Sequence, residues 1–107
     1  MKRVAGVYFN DRFAGTLIQE DDKTYTFSYD TVYLSDPYSE PVSITLPKQT
    51  ESFKSEILFP FFAGLLSEGA QKELQLRFMG VTESDYFARL LYCASETVGA
   101  VTVREIK

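Results

Sequence analysis

The stretch FPFFAGLLSEG, residues 59–69, holds the densest apolar cluster of the chain. Pro60 suits the first turn of a helix, where its missing N–H costs nothing, and Gly69 suits a helix end. We therefore expect a helix over 61–67. The apolar side chains around it follow a 3.6-residue period and share one face: Leu58, Phe61, Phe62, Leu65 and Leu66.

Upstream of this helix, the first third of the chain predicts a β-hairpin. Residues 4–9 and 13–19 are rich in β-branched and aromatic side chains, and Asn10-Asp11 between them is a turn dipeptide. Gly15 lies inside the second strand, where glycine indicates a bulge or a close backbone approach. We expect two antiparallel strands joined by a tight turn.

The next segment carries the clearest strand pattern. Residues 24–29 alternate strictly and place three aromatic side chains on one face: Tyr25, Phe27 and Tyr29. This face is expected to form the core with the apolar face of helix 61–67. Beyond it the sequence predicts a helical turn at 31–34, a short edge strand at 42–46 between two prolines, and a polar surface loop over 48–56.

Downstream of Gly69 the sequence predicts two further helices and a closing strand. The first runs over 70–79 and ends at Gly80, and Thr82 with Asp85 resembles a capping box for the second. A strand over 98–106 closes the chain. The apolar face of the last helix is expected to hold five residues: Tyr86, Phe87, Leu90, Leu91 and Ala94.

Length and composition predict one domain over residues 1–107, of the α+β class: a small antiparallel sheet or partial barrel with about three helices packed on one side. The net charge is −4 and no basic run occurs, which argues against direct nucleic-acid binding. No apolar run approaches the roughly 20 residues of a membrane span. Cys93 is the only cysteine, so no intramolecular disulfide is possible, and we expect a cytoplasmic protein.

Catalytic chemistry finds little support in the residues. Histidine is absent, which removes the commonest general base and metal ligand and excludes Ser–His and Cys–His catalysis. A zinc site would need several cysteines, and no glycine pattern matches a phosphate loop. Acidic pairs such as Glu83 with Asp85 are interpreted as solvated or helix-terminal carboxylates. We expect no enzyme activity, no metal and no cofactor, and a small hydrolase using Glu83 and Asp85 stays open as an alternative.

Five segments together resemble a known family. In order and spacing, AGTL at 14–17, FSYD at 27–30, SITLP at 43–47, FPFFAGLLSEG at 59–69 and GAVTV at 99–103 are similar to the N-terminal subdomain 1 of HipA-type serine/threonine kinase toxins. In full-length members this subdomain precedes a kinase core. The present chain ends at Lys107 and shows no ATP-binding loop and no catalytic or metal-binding Asp motif. It therefore resembles the freestanding form of the subdomain.

The resemblance implies a non-enzymatic role in a tripartite HipBST toxin–antitoxin system. A HipS-like antitoxin there binds a HipT-like serine/threonine kinase toxin in trans, caps its active-site region and inhibits it. A HipB-like helix-turn-helix DNA-binding protein is implied as a partner through the complex. Related toxins phosphorylate aminoacyl-tRNA synthetases, so inhibition would protect translation. The alternative is an activating or stabilising subunit that completes a split HipA-like kinase.

The resemblance also implies a contact region. Because Phe59 falls off the apolar helix face, some apolar surface near 59–70 is expected to stay exposed for docking. Glu68 would pair with a cation near the kinase nucleotide pocket. Many relatives carry Trp after the Glu-Gly of the motif, whereas this chain has Ala70, so capping by the 59–72 segment or restraint of lobe motion is expected instead. The expected kinase-contact residues are Phe59, Phe62, Leu66, Ser67, Glu68, Gly69 and Ala70, with Phe61 and Leu65 anchoring the segment to its own core.

Overall fold

A computed structural model describes residues 2–68, 80, 85–93 and 100–106, with backbone alone at 65–68 and 92–93. Within these residues it has five strands in one antiparallel sheet, in the order β4-β3-β2-β1-β5, and three short helices. The expected α+β class is therefore confirmed. The elements are β1 Arg3–Phe9, β2 Arg12–Gln19, β3 Tyr25–Tyr29, α1 Thr31–Ser35, β4 Phe53–Ser55, α2 Pro60–Glu68, α3 Tyr86–Cys93 and β5 Val101–Glu105.

The β1–β2 hairpin closes at the predicted turn. Asn10 and Asp11 have φ values of 51° and 65°, and two consecutive positive φ angles give a turn whose twist matches that of the strands. Asn and Asp tolerate this region better than most residues. The pairing shifts between Val7 and Tyr8, so that β2 carries one extra residue opposite them.

Gly15 makes the close backbone approach that the sequence predicted. It pairs with Val7 on one side and with Tyr29 on the other. A Cβ atom at this position would lie 3.0 Å from Cα of Tyr29 and closer still to the carbonyl oxygen of Ser28. Only glycine therefore lets β2 and β3 approach here without a shift of the backbone.

Two expectations for the middle of the chain are wrong. Residues 42–46 do not form an edge strand; they form a tight turn in which N–H of Leu46 donates to the carbonyl of Ser43 at 3.0 Å. Two backbone groups of this turn bond to the Tyr29 hydroxyl and not to a neighbouring strand. The hydroxyl accepts from N–H of Val42 and donates to the carbonyl of Leu46. The edge strand is β4, inside the segment predicted as a polar loop, where Phe53 pairs with Phe27.

The core lies between the sheet and the helices, as predicted. Phe62 of α2 packs on Phe27 of β3 with ring centroids 5.7 Å apart, and Phe87 of α3 is fully buried in the same cluster. Helix α2 contacts α3, and α3 contacts β5. The described parts of both helices thus contribute to one hydrophobic core on one side of the sheet.

Helix α3 begins differently from the expectation. Asp85 itself precedes the first helical residue, and its Oδ1 accepts from N–H of Ala88 at 3.2 Å, so Asp85 is the N-cap and not the third residue of a capping box. Tyr86 is 46% exposed, so placing it on the apolar face was wrong. The predicted helix 70–79 lies outside the described residues. Gly80 has a φ of +85°, a left-handed conformation that glycine adopts readily.

Candidate docking surface around helix α2

Helix α2 is fixed to the core by its first turn. Phe59 lies just before it, and its carbonyl accepts from N–H of Ala63 at 3.0 Å. Phe62 lies edge-on to Phe61 and to Phe59, with centroid distances of 5.2 and 6.2 Å. Edge-to-face rings in a packed cluster stabilise beyond their buried area. The cluster therefore holds the N-terminal end of α2 in one orientation.

The seven expected contact residues fall into two groups: two that are buried, and five at or beyond the C-terminal end of α2. Phe59 and Phe62 are 7% and 0% exposed, so the expectation that they form exposed contact surface is wrong: both side chains belong to the protein's own core. Phe59 precedes the helix, where the 3.6-residue period does not apply, and this allows it to turn inward. Phe61 packs partly against the core, as expected of an anchor.

The other expected contact residues occupy the far end of α2 or lie beyond it. Leu66, Ser67 and Glu68 are helical, with side chains outside the description, as is that of Leu65, and Gly69 and Ala70 fall outside the described residues. The role of these five residues in partner binding stays a prediction. Gly64, one helical turn before Glu68, is exposed, and a Cβ atom there would meet nothing within 4 Å.

A cleft that the sequence did not predict opens beside the segment that precedes α2. Its floor consists of three residues that lie side by side on neighbouring strands. Arg3 of β1 pairs with Gln19 of β2, and Gln19 pairs with Tyr25 of β3. Its volume is about 510 Å³, and the residues before α2 and at the start of α3 form its walls. We call it the polar cleft. Alternation placed Tyr25 in the core, but sequence alone did not indicate that the strand ends would leave a gap there.

An ion pair joins the floor of the polar cleft to helix α3. Arg3 donates from Nη2 to Oδ1 of Asp85 at 2.5 Å, from Nη1 to Oδ2 at 3.4 Å, and from Nε to Oε1 of Gln19 at 2.8 Å. Its guanidinium also lies 5.2 Å from the centroid of the Phe87 ring. Arg3 therefore ties β1, β2 and α3 together, which fixes the cleft between them.

The charge state of Asp85 follows from this network. Partial burial pushes its pKa up, but hydrogen bonds from Arg3 and from the backbone of Ala88, with the positive charges of Arg3 and Lys23, outweigh burial and leave the pKa below its ordinary value. The carboxylate is thus held ionised, as suits an N-cap. Its companion Glu83 in the proposed hydrolase pair lies outside the described residues.

Two other acidic groups have structural partners. Asp22 accepts from the hydroxyl of Thr24 at 2.6 Å and from its N–H at 3.1 Å, and the hydroxyl bond is the main reason that its pKa is lowered. Asp36 pairs with Arg12 at 2.6 Å. Across the described ranges no three His, Cys, Asp or Glu side chains gather at metal-binding distance.

A helix that crosses a membrane needs about 20 residues. The longest helix in the described ranges is α2, with nine. In those ranges no helix has the length and apolarity for a transmembrane span.

The comparison with protein families is decisive for classification. The family model of the HipA N-terminal domain matches residues 5–104, nearly the whole chain. The chain belongs to the HipA N-terminal domain family. The predicted resemblance is thereby confirmed, and the family model that matches is that of the N-terminal domain and not of a kinase domain.

Two relatives carry this domain in different settings. The chain is 32% identical over 99 residues to the protein named "Putative kinase Y4mE" from Sinorhizobium fredii, a match covering 92% of this chain and 24% of the relative. It is 34% identical over 105 residues to a protein of Haemophilus influenzae named "Uncharacterized protein", covering 98% of this chain and 94% of the relative. The chain spans about a quarter of the first relative's length and almost all of the second.

The fold agrees with this classification. The solved structure described as the N-terminal domain of HipA toxin aligns with a TM-score of 0.69 and 24% sequence identity, over 98% of this chain and 93% of that one. At this identity the agreement concerns the fold alone.

Proposed function

We propose that this protein binds a HipA-like serine/threonine kinase core in trans and inhibits it, as an antitoxin and not as an enzyme. The observation that carries the proposal is the domain's occurrence in two settings. It makes up 24% of a relative named as a kinase and nearly all of a relative in Haemophilus. A domain that lies beside a kinase core in one chain has a surface suited to such a core, and a separate copy offers the same surface to a separate core.

The proposed contact surface is the C-terminal end of α2 with the residues that follow it. The aromatic cluster at the N-terminal end makes α2 a fixed support, since Phe62 is fully buried. The side chains of Leu66, Ser67 and Glu68 would then meet the partner at a set angle, and Gly69 and Ala70 would let the two backbones come close. A rigid support reduces the entropy lost on binding. Glu68 would pair with a cation near the nucleotide pocket.

Co-purification with a kinase core tests this surface. The core is the HipA-like kinase of the same cell, expressed without any N-terminal domain of its own. Leu66→Asp with Gly69→Arg is expected to weaken binding about 100-fold, which corresponds to a loss of about 1.4 kcal/mol, or tenfold in Kd, for each substitution. Far-UV circular dichroism checks that the variant is folded.

A matched variant controls for added surface charge. Ile44 is 97% exposed on the turn at 43–46, and Ile44→Asp places a charge there without touching α2. We expect this variant to bind the kinase core like the wild type. Equal binding by the folded Leu66→Asp/Gly69→Arg variant would reject the proposed surface.

The second candidate is an activating or stabilising subunit of a split kinase. The Sinorhizobium relative favours it, because that protein keeps the domain within a chain named as a kinase. The two candidates predict opposite signs for the effect of this protein on the rate of phosphate transfer. A HipB-like DNA-binding protein would join either complex through the kinase.

A further inference from the structure

We propose that the polar cleft is a second docking site, which receives an acidic side chain of the same kinase core. The proposal rests on the proposed function, because it names a further contact of that partner. It starts from the buried polar groups of the cleft floor. Gln19 and Tyr25 are 6% and 5% exposed, so neither is open to bulk solvent along most of its surface.

The floor offers more hydrogen-bond donors than the protein itself uses. Oε1 of Gln19 accepts from Arg3, and Nε2 of Gln19 donates to the Tyr25 hydroxyl at 3.4 Å, a long bond. An amide carries two N–H protons, and the hydroxyl keeps its own proton when it accepts. Among the described residues no acceptor is present for the second amide proton or for the hydroxyl proton. A buried donor left unpaired costs about 1–3 kcal/mol, so an acceptor oxygen from a ligand is favoured here.

Lys23 provides a cation suited to a carboxylate as that acceptor, in a cleft whose charged lining is otherwise Arg3, Asp85 and Glu56. Arg3 and Asp85 neutralise each other through their two hydrogen bonds. Lys23 also lines the cleft, close enough to lower the pKa of Asp85, and forms no salt bridge within the described ranges. Glu56 lines the cleft too, as an exposed residue before α2, whereas Gln19 and Tyr25 are buried on the floor. Lys23, Gln19 and Tyr25 thus form a set of donors suited to one carboxylate.

The rim of the cleft favours a protein as the source of that carboxylate. Ile57 is 69% exposed and Tyr86 is 46% exposed, and both line the cleft. A partner protein can place an acidic side chain on the polar floor and a neighbouring apolar side chain against the exposed apolar rim. With nine residues, α2 is about 13 Å long, so one partner can span from this cleft to the helix's far end.

The test compares two matched lysine variants in binding to the purified kinase core. Lys23→Gln removes the cleft cation, whereas Lys54→Gln removes an exposed cation on β4, away from the cleft. We expect Lys23→Gln to raise the Kd about tenfold and to weaken its dependence on salt, because a charge-assisted contact is lost. Lys54→Gln should leave both unchanged. Tyr25→Phe keeps the ring and should also raise the Kd.

Each outcome separates this proposal from the proposed function. Unchanged affinity of folded Lys23→Gln and Tyr25→Phe, with wild-type binding intact, overturns the cleft proposal alone. Absence of wild-type binding overturns both proposals. Titration of the free protein with sodium glutamate, followed by NMR, provides a further arm. Saturation of the shifts of Gln19 and Tyr25 in the low millimolar range would assign the cleft to a free acid and overturn docking by the kinase.

Discussion

At the scale of single residues, two glycines differ in whether their surroundings leave room for a side chain. Gly15 lies where the backbones of β2 and β3 approach too closely for a Cβ atom. Gly64 lies on the exposed side of α2, where a Cβ atom meets nothing. The sequence predicted the close approach at Gly15 because glycine within a strand pattern commonly marks one.

We expect Gly15→Ala and Gly64→Ala to change stability in opposite directions. The first should lower the free energy of unfolding by about 1–3 kcal/mol, because the new methyl group displaces Ser28 and Tyr29. The second should raise it by about 0.5–1 kcal/mol, since alanine has a higher helix propensity than glycine at an exposed position inside a helix. Urea unfolding followed by circular dichroism measures both. Equal effects of the two variants would contradict the backbone geometry at Gly15.

The pair between Arg3 and Asp85 predicts a pH dependence. The pKa of Asp85 is lower in the folded protein than its ordinary value of 3.8, so its stabilisation is complete above about pH 5 and is lost as pH falls through the folded pKa. Asp85→Asn keeps a capping side chain but removes the charge. We expect it to lower stability by about 0.5–1 kcal/mol at pH 7.

Thermal unfolding at pH 7 and at pH 3 checks this expectation. The difference between the wild type and Asp85→Asn should shrink at pH 3, where the carboxylate is increasingly protonated. Asp11→Asn serves as the control, because Asp11 pairs with Arg104 at 3.4 Å on an exposed surface and caps no described helix. A difference of the same size at both pH values would show that the charge of Asp85 does not stabilise α3.

At the scale of elements, the sequence predicted those with strong local patterns. The hairpin, β3 and α2 all follow from periodicity and from turn residues, and the structure confirms them. The segment from 42 to 56 was misassigned because its structure depends on contacts remote in sequence. Tyr29 holds the turn at 42–46 from 13 and 17 residues away, and β4 is a strand because Phe53 packs on Phe27.

The tyrosine contacts make a prediction for that turn. Tyr29→Phe should lower the free energy of unfolding by about 1–3 kcal/mol, because N–H of Val42 and the carbonyl of Leu46 lose their buried partner. Hydrogen exchange at the Val42 amide should accelerate more than exchange within β1. Tyr38→Phe is the control, since Tyr38 is 91% exposed and should show neither change. Unaltered exchange at Val42 would mean that Tyr29 does not hold the turn.

The candidate site was predictable only in part. The helical period identified α2 and its anchors, but it did not show that Phe59, which lies outside the helix, turns inward. The polar cleft depends on which strand ends meet, and register is not encoded in any one segment. The proposed kinase partner and the direction of its response are properties of a second molecule, so only resemblance pointed to them.

At the scale of the whole molecule, the described parts of α2 and α3 pack together on one side of the sheet. The aromatic core fixes the start of α2, the Arg3–Asp85 pair fixes α3 beside it, and the proposed contacts lie at the two ends of α2. This arrangement suits a protein that acts by covering another. The chain belongs to the HipA N-terminal domain family, and the partner that we propose on this basis is a HipA-like kinase core.

The most direct measurement is the rate of phosphate transfer by the purified kinase core as this protein is added. The account predicts that the rate falls to near zero as the added protein reaches a stoichiometric amount, and that folded Leu66→Asp/Gly69→Arg leaves the rate unchanged. A rate that rises on addition, or a rate indifferent to the wild-type protein at saturating concentration, would contradict the proposal of an inhibitory antitoxin.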